Sequence, residues 1–442
     1  MSNFQEKSNF IWNLADLLRG SFKFEDFHKI ILPFTVLKRL DSLLQYSKQD
    51  VLDTYNEYYE KIDDIQSLLL NVAVDEEGNK LGFYNYSKYD LNSLLKNEGE
   101  IEENMLDYLE CFSDNIKDIF SNFDFKHQII RLSNENLLDS LVKKLNKNVD
   151  LSPMTTSHEE MGIIFEGLIN RFLEDSRDIY GPPDLLKLIA ELILLEDEGI
   201  NEKGLIKKIY DPACGTGRLL ACCKDSLIKK NSCNVELYGQ DVSPEIYALC
   251  KANLLMRGEQ INNIKGPASS ISNDQFKDEK FDYIICNPPF GVNWEYEREF
   301  VENEAKLGFD GRFGAGIPRK RDGQLLFLQH MISKMKPKGE KSKIVFITNG
   351  LPLFIGDIGS GESDIRKWIF ENDYIETLIA LPSQLIYGTS METYVWVLTN
   401  EKSEDRVGKV QLIDARQEFD TESSKEGKRH ILTELLNKSI LK

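Results

Sequence analysis

The chain has 442 residues, enough for two or three domains with full cores, and its 41% hydrophobic and 29% charged content is that of a soluble globular protein. Its net charge of −19 argues against a protein that grips DNA through its overall charge, because such proteins are usually basic. No apolar run reaches transmembrane length and the N-terminus lacks a signal-peptide pattern, so we expect a cytoplasmic protein with no membrane partner.

Residues 1–150 are predicted to form an all-helical domain. Apolar residues recur at helical spacing in 10–18 and 30–40, with Pro33 near a kink or a first turn. Further amphipathic stretches follow at 51–70, 101–121 and 135–145. Since no catalytic constellation stands out here, we interpret this domain as a docking domain for a partner or for DNA.

Residues 151–442 are predicted to form a second, α/β domain with a short tail from about 417. Ser157 and Glu160 form a capping box ahead of an amphipathic helix, and a second helix is predicted from Asp184 to Leu195. Strands and helices then alternate, which predicts a doubly wound, mostly parallel sheet. The predicted strands are 205–210, 235–240, 281–286, 343–348, 375–381, 393–399 and 409–413, and the helices start near Arg218 and Pro244 or cover 324–335 and 363–370.

Two strand ends carry the pattern of a nucleoside cofactor site. The first strand runs into a turn, 211–217, with Gly215 and Gly217, and the next strand ends at Asp241, whose carboxylate can accept both ribose hydroxyls. The third glycine of NAD sites and the Walker sequence are absent. Asp211 could pair with a cationic amino group, which favours S-adenosylmethionine. A glycine turn that serves tight packing alone is the alternative.

The stretch Asn287-Pro288-Pro289-Phe290 ends a buried strand at the sheet edge where ligands bind. Asn287 Oδ1 and the Pro288 carbonyl could accept hydrogen bonds from a planar amine while Phe290 stacks on its ring. A simple strand-ending turn is the alternative. The seven cysteines form no C-x-x-C pair and no histidine neighbours an obvious nucleophile, so neither a metal site nor a catalytic triad is predicted.

Together the two motifs resemble the adenine-N6 methyltransferases of DNA. Longer segments resemble the modification subunit of type I restriction-modification systems, namely 15–20, 31–40, 310–318, 322–330, 359–366 and 410–416. The resemblance implies a Rossmann-like S-adenosylmethionine-dependent methyltransferase sheet behind an N-terminal all-helical domain. It also implies methyl transfer to N6 of a flipped-out adenine in double-stranded DNA. The implied partners are a sequence-specificity subunit, a second copy of the modification subunit and, in some complexes, a restriction subunit.

The resemblance assigns roles to particular residues. Its catalytic set is Asn287, Pro288, Pro289 and Phe290, and its cofactor-binding set is Tyr180, Asp211, Ala213, Gly215, Thr216, Gly217, Asp241 and Asn287. A basic patch follows the catalytic strand, and we predict that it contacts DNA phosphates, with a solvated charged loop as the alternative. This patch consists of Arg312, Arg319, Lys320 and Arg321.

Several positions depart from the family pattern. Gly181 stands where Thr is common, Arg218 replaces a second glycine, and Pro267 stands where Asp or Asn would meet the cofactor's adenine, with Asp274 as a candidate substitute. The chain ends at Lys442, short of the helical sequence with which relatives continue, as expected of a fragment or a shortened relative. Arg218 and Pro267 favour, as an alternative, a catalytically weak or idle scaffold subunit. Methyltransferases of protein glutamine or RNA also use N-P-P motifs and form a further alternative.

Overall fold

The computed structural model describes residues 3–96, 99–173, 181–195, 205–230, 234–385, 391–424 and 427–432. The chain divides into two compact units, one made of Met1–Asp175 with Ala248–Asn262 and the other of Ser176–Tyr247 with Asn263–Lys442. Among the described residues, no helix is both long and apolar enough to cross a membrane.

The first unit is helical, as its apolar spacing predicts. Its most buried helix is α2, where nearly every residue from His28 to Leu44 is buried and Pro33 lies inside the helix. The predicted capping box is confirmed: the Glu160 amide donates to Ser157 Oγ and the Ser157 amide to Glu160 Oε2. Helix α8 was not predicted. The helices are α1 Asn3–Leu14, α2 His28–Leu44, α3 Lys48–Tyr58, α4 Ile65–Val72, α5 Leu91–Leu94, α6 Ile101–Glu110, α7 Asp114–Asn122, α8 Phe125–Asn134, α9 Leu138–Asn148 and α10 His158–Leu173.

The second unit is an α/β sheet with crossover helices. Its strands are β1 Ile206–Asp211, β2 Asn234–Gln240, β3 Ile264–Lys265, β4 Tyr283–Cys286, β5 Lys343–Asn349, β6 Ile375–Ala380, β7 Thr393–Thr399, β8 Gln411–Asp414, β9 Asp420–Ser424 and β10 Gly427–Ile431. Its helices are α11 Pro183–Ile193, α12 Arg218–Lys230, α13 Pro244–Met256 (which continues into the first unit), α14 Arg298–Ala305, α15 Gln324–Ser333, α16 Leu351–Phe354 and α17 Gly361–Glu371.

Eight strands form one sheet in the order β3-β2-β1-β4-β5-β7-β6-β8. Strand β7 runs antiparallel to β5 and β6, and the other neighbouring pairs are parallel, so the predicted mostly parallel sheet is confirmed. In the predicted tail, residues 420–424 and 427–431 form a separate antiparallel hairpin of β9 and β10. The sequence did not predict this hairpin or the two-residue β3.

Side chains from both sheet faces form the core. Tyr210, Ile284 and Phe346 lie in one buried cluster with residues of α15 and α17. Their strand neighbours, such as Ile209 and Val345, point to the opposite face, where α11 and α12 contact the central strands. With helices covering both faces, the carboxyl edge of the parallel strands is the natural place for a ligand.

The register of the central strands sets which residues meet at that edge. Asp211, the last residue of β1, is paired with Gly239 of β2, two residues before Asp241. On the other side of β1, Tyr210 is paired with Ile284 of β4, three residues before Asn287. Residues 211–217, Asp241 and Asn287 therefore leave three adjacent strands at one edge.

Candidate active site

The turn after β1 is held by its own backbone and by the end of β2. The Ala213 amide donates to Asp211 Oδ1 at 2.9 Å, and the Cys214 amide donates to the Gln240 carbonyl at 3.1 Å. Gly215 has φ +55° and Gly217 has φ +76°, left-handed values that glycine adopts without steric cost. Apart from Gly215 and its two chain neighbours, no described residue has an atom within 4 Å of where a Gly215 Cβ would be, so the backbone of the turn faces open space.

Asp241 ties the end of β2 to this turn. Its Oδ2 accepts the Gly215 amide at 3.1 Å and its Oδ1 accepts the Ser243 amide at 2.9 Å. The Val242 amide also bonds this carboxylate, and since a carboxylate has about four acceptor positions, capacity remains for a ligand hydroxyl. Burial raises the pKa of Asp241 above its usual range, while the hydrogen bonds from backbone amides oppose this rise.

Asp211 stabilises the turn after β1 through its buried carboxyl group. It is only 2% exposed, and burial, helped by the nearby charge of Asp241, raises its pKa to about 7. It was predicted to pair with a cationic amino group, but it does not line the cavity described below. Its carboxyl group accepts the Ala213 amide and is shielded from solvent, so it stabilises the turn, and its pairing with an amino group stays a prediction.

The segment after β3 is pressed against the end of β2. The Asp241 amide donates to the Lys265 carbonyl at 3.3 Å, and the Ala268 amide donates back to the Asp241 carbonyl at 2.9 Å. Gly266, which precedes Pro267 through a cis peptide bond, has no room for a side chain, since a Cβ would lie 2.6 Å from the Asp241 carbonyl oxygen. This close approach brings the next residues, Ser269 and Ser270, to the cavity.

Asp274 does not replace the acidic residue that Pro267 displaces. Its Oδ2 lies 2.5 Å from Lys334 Nζ, and both side chains are at most 5% exposed. Its Oδ1 accepts the Phe276 amide at 2.9 Å. With its carboxylate committed to a buried ion pair, Asp274 lies outside the lining of the cofactor-side cavity, and the candidate substitution was wrong.

A cavity of about 200 Å³ lies where the three strand ends meet. Five predicted site residues line it: Ala213, Gly215, Asp241, Asn287 and Pro289. Other predicted residues (Asp211, Thr216, Gly217, Pro288 and Phe290) do not line it, and Tyr180 lies outside the described residues. The lining also includes residues that the sequence did not single out: Pro212, Val242, Ile246, Ser269, Ser270 and Phe327.

Some of these missed residues carried a signal and others did not. Val242 directly follows Asp241, and Ile246 lies one helical turn later, so an acidic strand end followed by an apolar helix start could have identified both. Ser270 Oγ donates to the Pro212 carbonyl at 2.8 Å, a contact between segments 58 residues apart. Phe327 belongs to α15, which no local pattern connects with the turn after β1.

Asn287 is half-buried at the end of β4, between a buried cysteine and a buried proline. Gly181 lies beside it: a Cβ on Gly181 would be 3.4 Å from Asn287 Nδ2 and 3.2 Å from Leu186 Cδ2. Phe290 is half-buried, and Gly291 follows with φ +68°, which turns the chain away from the strand. The amide and the ring of the predicted catalytic motif are thus both partly accessible.

Two family models match the chain. The N-6 DNA methylase model matches residues 156–441, and the HsdM N-terminal domain model matches residues 7–145. This chain belongs to the N-6 DNA methylase family.

Relatives of this methylase extend the match over nearly the whole chain. It is 26% identical to the methylase subunit of the type I restriction enzyme MjaIX from Methanocaldococcus jannaschii over 453 residues, 97% of this chain and 75% of the relative. It is 30% identical to the methylase subunit of the type I restriction enzyme HindI from Haemophilus influenzae over 263 residues, 58% of this chain and 54% of the relative. The predicted resemblance to type I modification subunits is confirmed.

The fold is also similar to that of a solved protein. The crystal structure of a type I restriction-modification system methyltransferase subunit from Streptococcus thermophilus matches with a TM-score of 0.75 and 23% sequence identity, covering 99% of this chain and 92% of that chain. At this identity the likeness bears on the fold alone. It confirms the predicted α/β sheet and the helical N-terminal region.

In this methylase, Arg312 is built into the fold. Its guanidinium donates to both carboxylate oxygens of Glu304 at 2.7 Å and to the Ser270 and Ile271 carbonyls, and its side chain is 12% exposed. It also donates to His330 Nδ1 at 2.9 Å. The prediction that Arg312 contacts DNA phosphates was therefore wrong, because its donors are used inside the protein.

His330 continues this network to β1. Its Nε2 lies 3.0 Å from Tyr210 Oη, one residue before Asp211. Burial, together with the charge of Arg312, holds the pKa of His330 well below its usual range, so the ring is neutral. Because Arg312 can only donate, Nδ1 accepts, and Nε2 carries the hydrogen toward the tyrosine.

The rest of the basic patch is accessible. Arg321 is exposed, and the side chain of Arg319 is 39% exposed at 3.6 Å from Asp322. Lys320 Nζ lies 2.6 Å from Glu295 with 43% of its side chain exposed, and such surface pairs exchange readily for another anion. These three residues remain the predicted phosphate contacts.

Proposed function

We propose that this N-6 DNA methylase transfers a methyl group from S-adenosylmethionine to N6 of adenine in DNA, as the modification subunit of a type I restriction-modification complex. The observation that carries the proposal is that the Gly215 turn, Asp241 and Asn287 line one cavity at the ends of three adjacent strands. The family match and the type I relatives support the choice of acceptor.

The lining of the cavity fits the cofactor in its chemistry. Asp241 lines the cavity with acceptor capacity for a ribose hydroxyl, and the open backbone at Gly215 allows close approach. Val242 and Ile246 supply apolar surface for the adenine ring. Ser269, which lies two residues after Pro267 and lines the cavity, offers a hydroxyl to the cofactor. When bound, the cofactor supplies an electrophilic methyl group on its sulfonium.

Asn287 and its neighbours would hold the acceptor. Asn287 Oδ1 and the Pro288 carbonyl accept the two hydrogens of the adenine amine, which directs the nitrogen lone pair toward the methyl group. Phe290 stacks on the base and offsets part of the cost of flipping it out of the duplex. The N–C bond forms as the S–C bond breaks, and the methylated nitrogen then releases one proton to solvent. Positioning and charge stabilisation at N6 suffice, so no strong base is required.

The proposed complex accounts for the acidic chain. Double-stranded DNA would be gripped mainly by a sequence-specificity subunit, with a second modification subunit and a restriction subunit completing the complex. Arg319, Lys320 and Arg321 would add phosphate contacts near the catalytic strand. The helical region of residues 1–150, which contains the match to the HsdM N-terminal domain, would serve docking.

The test is the Asn287→Ala variant, assayed with tritiated S-adenosylmethionine on duplex DNA. We expect loss of transfer with cofactor affinity retained in calorimetry, because Asn287 acts on the acceptor. The matched control is Asn303→Ala, which removes an exposed asparagine from α14 and should leave transfer unchanged. Equal activity of Asn287→Ala and wild type would refute the mechanism. A wild-type chain that binds no cofactor would identify an idle scaffold subunit instead.

A further inference from the structure

The hairpin of β9 and β10 is hydrogen-bonded to the start of α11. Arg429 Nη1 donates to Asp184 Oδ1 at 2.9 Å, and the Leu432 amide donates to Asp184 Oδ2 at 2.8 Å. Only 9% of the Arg429 side chain and 15% of the Asp184 side chain are exposed. The two residues are 245 positions apart in sequence, so this nearly buried ion pair joins segments that no local structure connects.

Strand β10 also forms hydrogen bonds with the segment that follows β6. The His430 amide donates to the Gln384 carbonyl at 2.9 Å, and His430 Nδ1 donates to the Ser383 carbonyl at 2.7 Å. The His430 ring stacks on Phe419, with centroids 3.5 Å apart. The two hydrogen bonds fix the hairpin to the segment that follows β6, so that it can support Asp184.

Asp184 is linked to Asn287 by a short, stiff path. It lies three residues after Gly181, where an added Cβ would lie 3.4 Å from Asn287 Nδ2, and Pro182 and Pro183 lie between them. Proline fixes φ near −65°, so the segment moves largely as one piece. The Leu186 amide donates to the Pro182 carbonyl at 3.1 Å and closes the first turn of α11 over this segment.

We propose that Asp184 and Arg429 are positioning residues for methyl transfer, through which the hairpin holds Gly181 against Asn287 and fixes the orientation of its amide. This inference rests on the proposed function. Without the pair, Gly181 would be free to shift away from the amide, and an acceptor group misplaced by 1 Å can slow a reaction about 100-fold.

The kinetic test uses Arg429→Gln and Asp184→Asn in the full chain, with the partners that wild type requires. We expect single-turnover methyl transfer to slow by about 10- to 100-fold, while the Kd for S-adenosylmethionine stays within about twofold. Arg429→Lys keeps the charge and should recover most of the rate. The control is Lys367→Gln, which breaks the exposed Lys367–Glu371 pair of the same unit and should change nothing.

The structural test needs no activity. Hydrogen exchange at the backbone amides of residues 185–187 should be faster in Arg429→Gln than in wild type, with β1 unchanged. Unchanged exchange, an unchanged transfer rate in a folded variant, or a parallel fall of cofactor affinity and transfer rate would each overturn the proposal. If wild type transfers no methyl group to DNA, the proposed function fails, and the exchange result alone decides whether the hairpin holds this segment.

Discussion

The Gly215 amide donates to Asp241 Oδ2 at 3.1 Å, so one hydrogen bond joins the turn after β1 to the residue that follows β2. Asp241→Asn removes the charge but keeps the shape. We expect cofactor affinity to fall about 10- to 100-fold, since hydrogen bonds to charged groups are worth about 1.5–3 kcal/mol each. Isothermal titration calorimetry measures the loss. The exposed Asp278, changed to Asn, is the control, and an unchanged Kd in Asp241→Asn would contradict the ribose assignment.

Asp211 should make stability depend on pH. Its folded-state pKa of about 7 lies above the ordinary value of 3.8, so the folded chain binds more protons than the unfolded chain between these values, and stability falls as the pH rises through this window. The Asp211→Asn side chain cannot ionise, so this variant does not lose stability in this way as the pH rises. Its advantage in free energy of unfolding should grow by about 2–3 kcal/mol between pH 5 and pH 7 and then level off.

Urea unfolding at several pH values measures this difference. A constant difference between Asp211→Asn and wild type would show that the carboxyl group is ionised throughout. Asp278→Asn, at an exposed position, again provides the control.

Gly266→Ala should distort the cofactor site by displacing the backbone of Asp241. The new Cβ would lie 2.6 Å from the Asp241 carbonyl oxygen and 2.9 Å from the Tyr247 ring, at a φ of +154° that alanine rarely adopts. We expect a loss of about 1–3 kcal/mol in stability and weaker cofactor binding. The control is Gly167→Ala in α10, where the nearest atom is 3.9 Å from the new Cβ. Normal cofactor affinity in a stable Gly266→Ala variant would contradict this account.

Substitution of Arg312 should lower stability, whereas substitution of Arg321 should weaken DNA binding. Arg312→Gln breaks a nearly buried ion pair and should cost about 3–5 kcal/mol of stability. Arg321→Gln should leave the unfolding midpoint unchanged, weaken DNA binding equally for all sequences, and reduce the salt dependence by about one counterion. Thermal unfolding and DNA binding at several salt concentrations test both variants. A reversal of the two effects would return Arg312 to the DNA interface.

Much of the catalytic unit was predictable because its strands are buried on both faces. Strand β7, Thr393–Thr399, was predicted to the residue, since a continuous apolar and β-branched run marks such a strand. Its antiparallel place between β5 and β6 was not predicted, because pairing depends on contacts distant in sequence. The turn at Gly215, Asp241 and Asn287 were found since their chemistry follows directly from strand ends.

The misassigned residues share one cause. The sequence shows where charged residues lie along the chain. It does not show which oppositely charged side chains the fold places beside them. The nearby run Arg319–Arg321 predicts that Arg312 contacts phosphate. In the fold, however, the Arg312 guanidinium donates hydrogen bonds to Glu304 on α14. Asp274 was considered for the cofactor, but Lys334 lies 60 residues away in sequence and neutralises it.

The register of β1, β2 and β4 means that the cavity does not exist in any fragment of the sheet. Asp241, Gly215 and Asn287 come together only when all three strands have paired, so a cofactor held by Gly215 and Asp241 in this cavity would bind the native chain and not the unfolded one. By mass action, each tenfold increase of such a ligand above its Kd adds about 1.4 kcal/mol to the stability of the unit. The supply of methyl donor would then govern how long the enzyme survives as well as how fast it works.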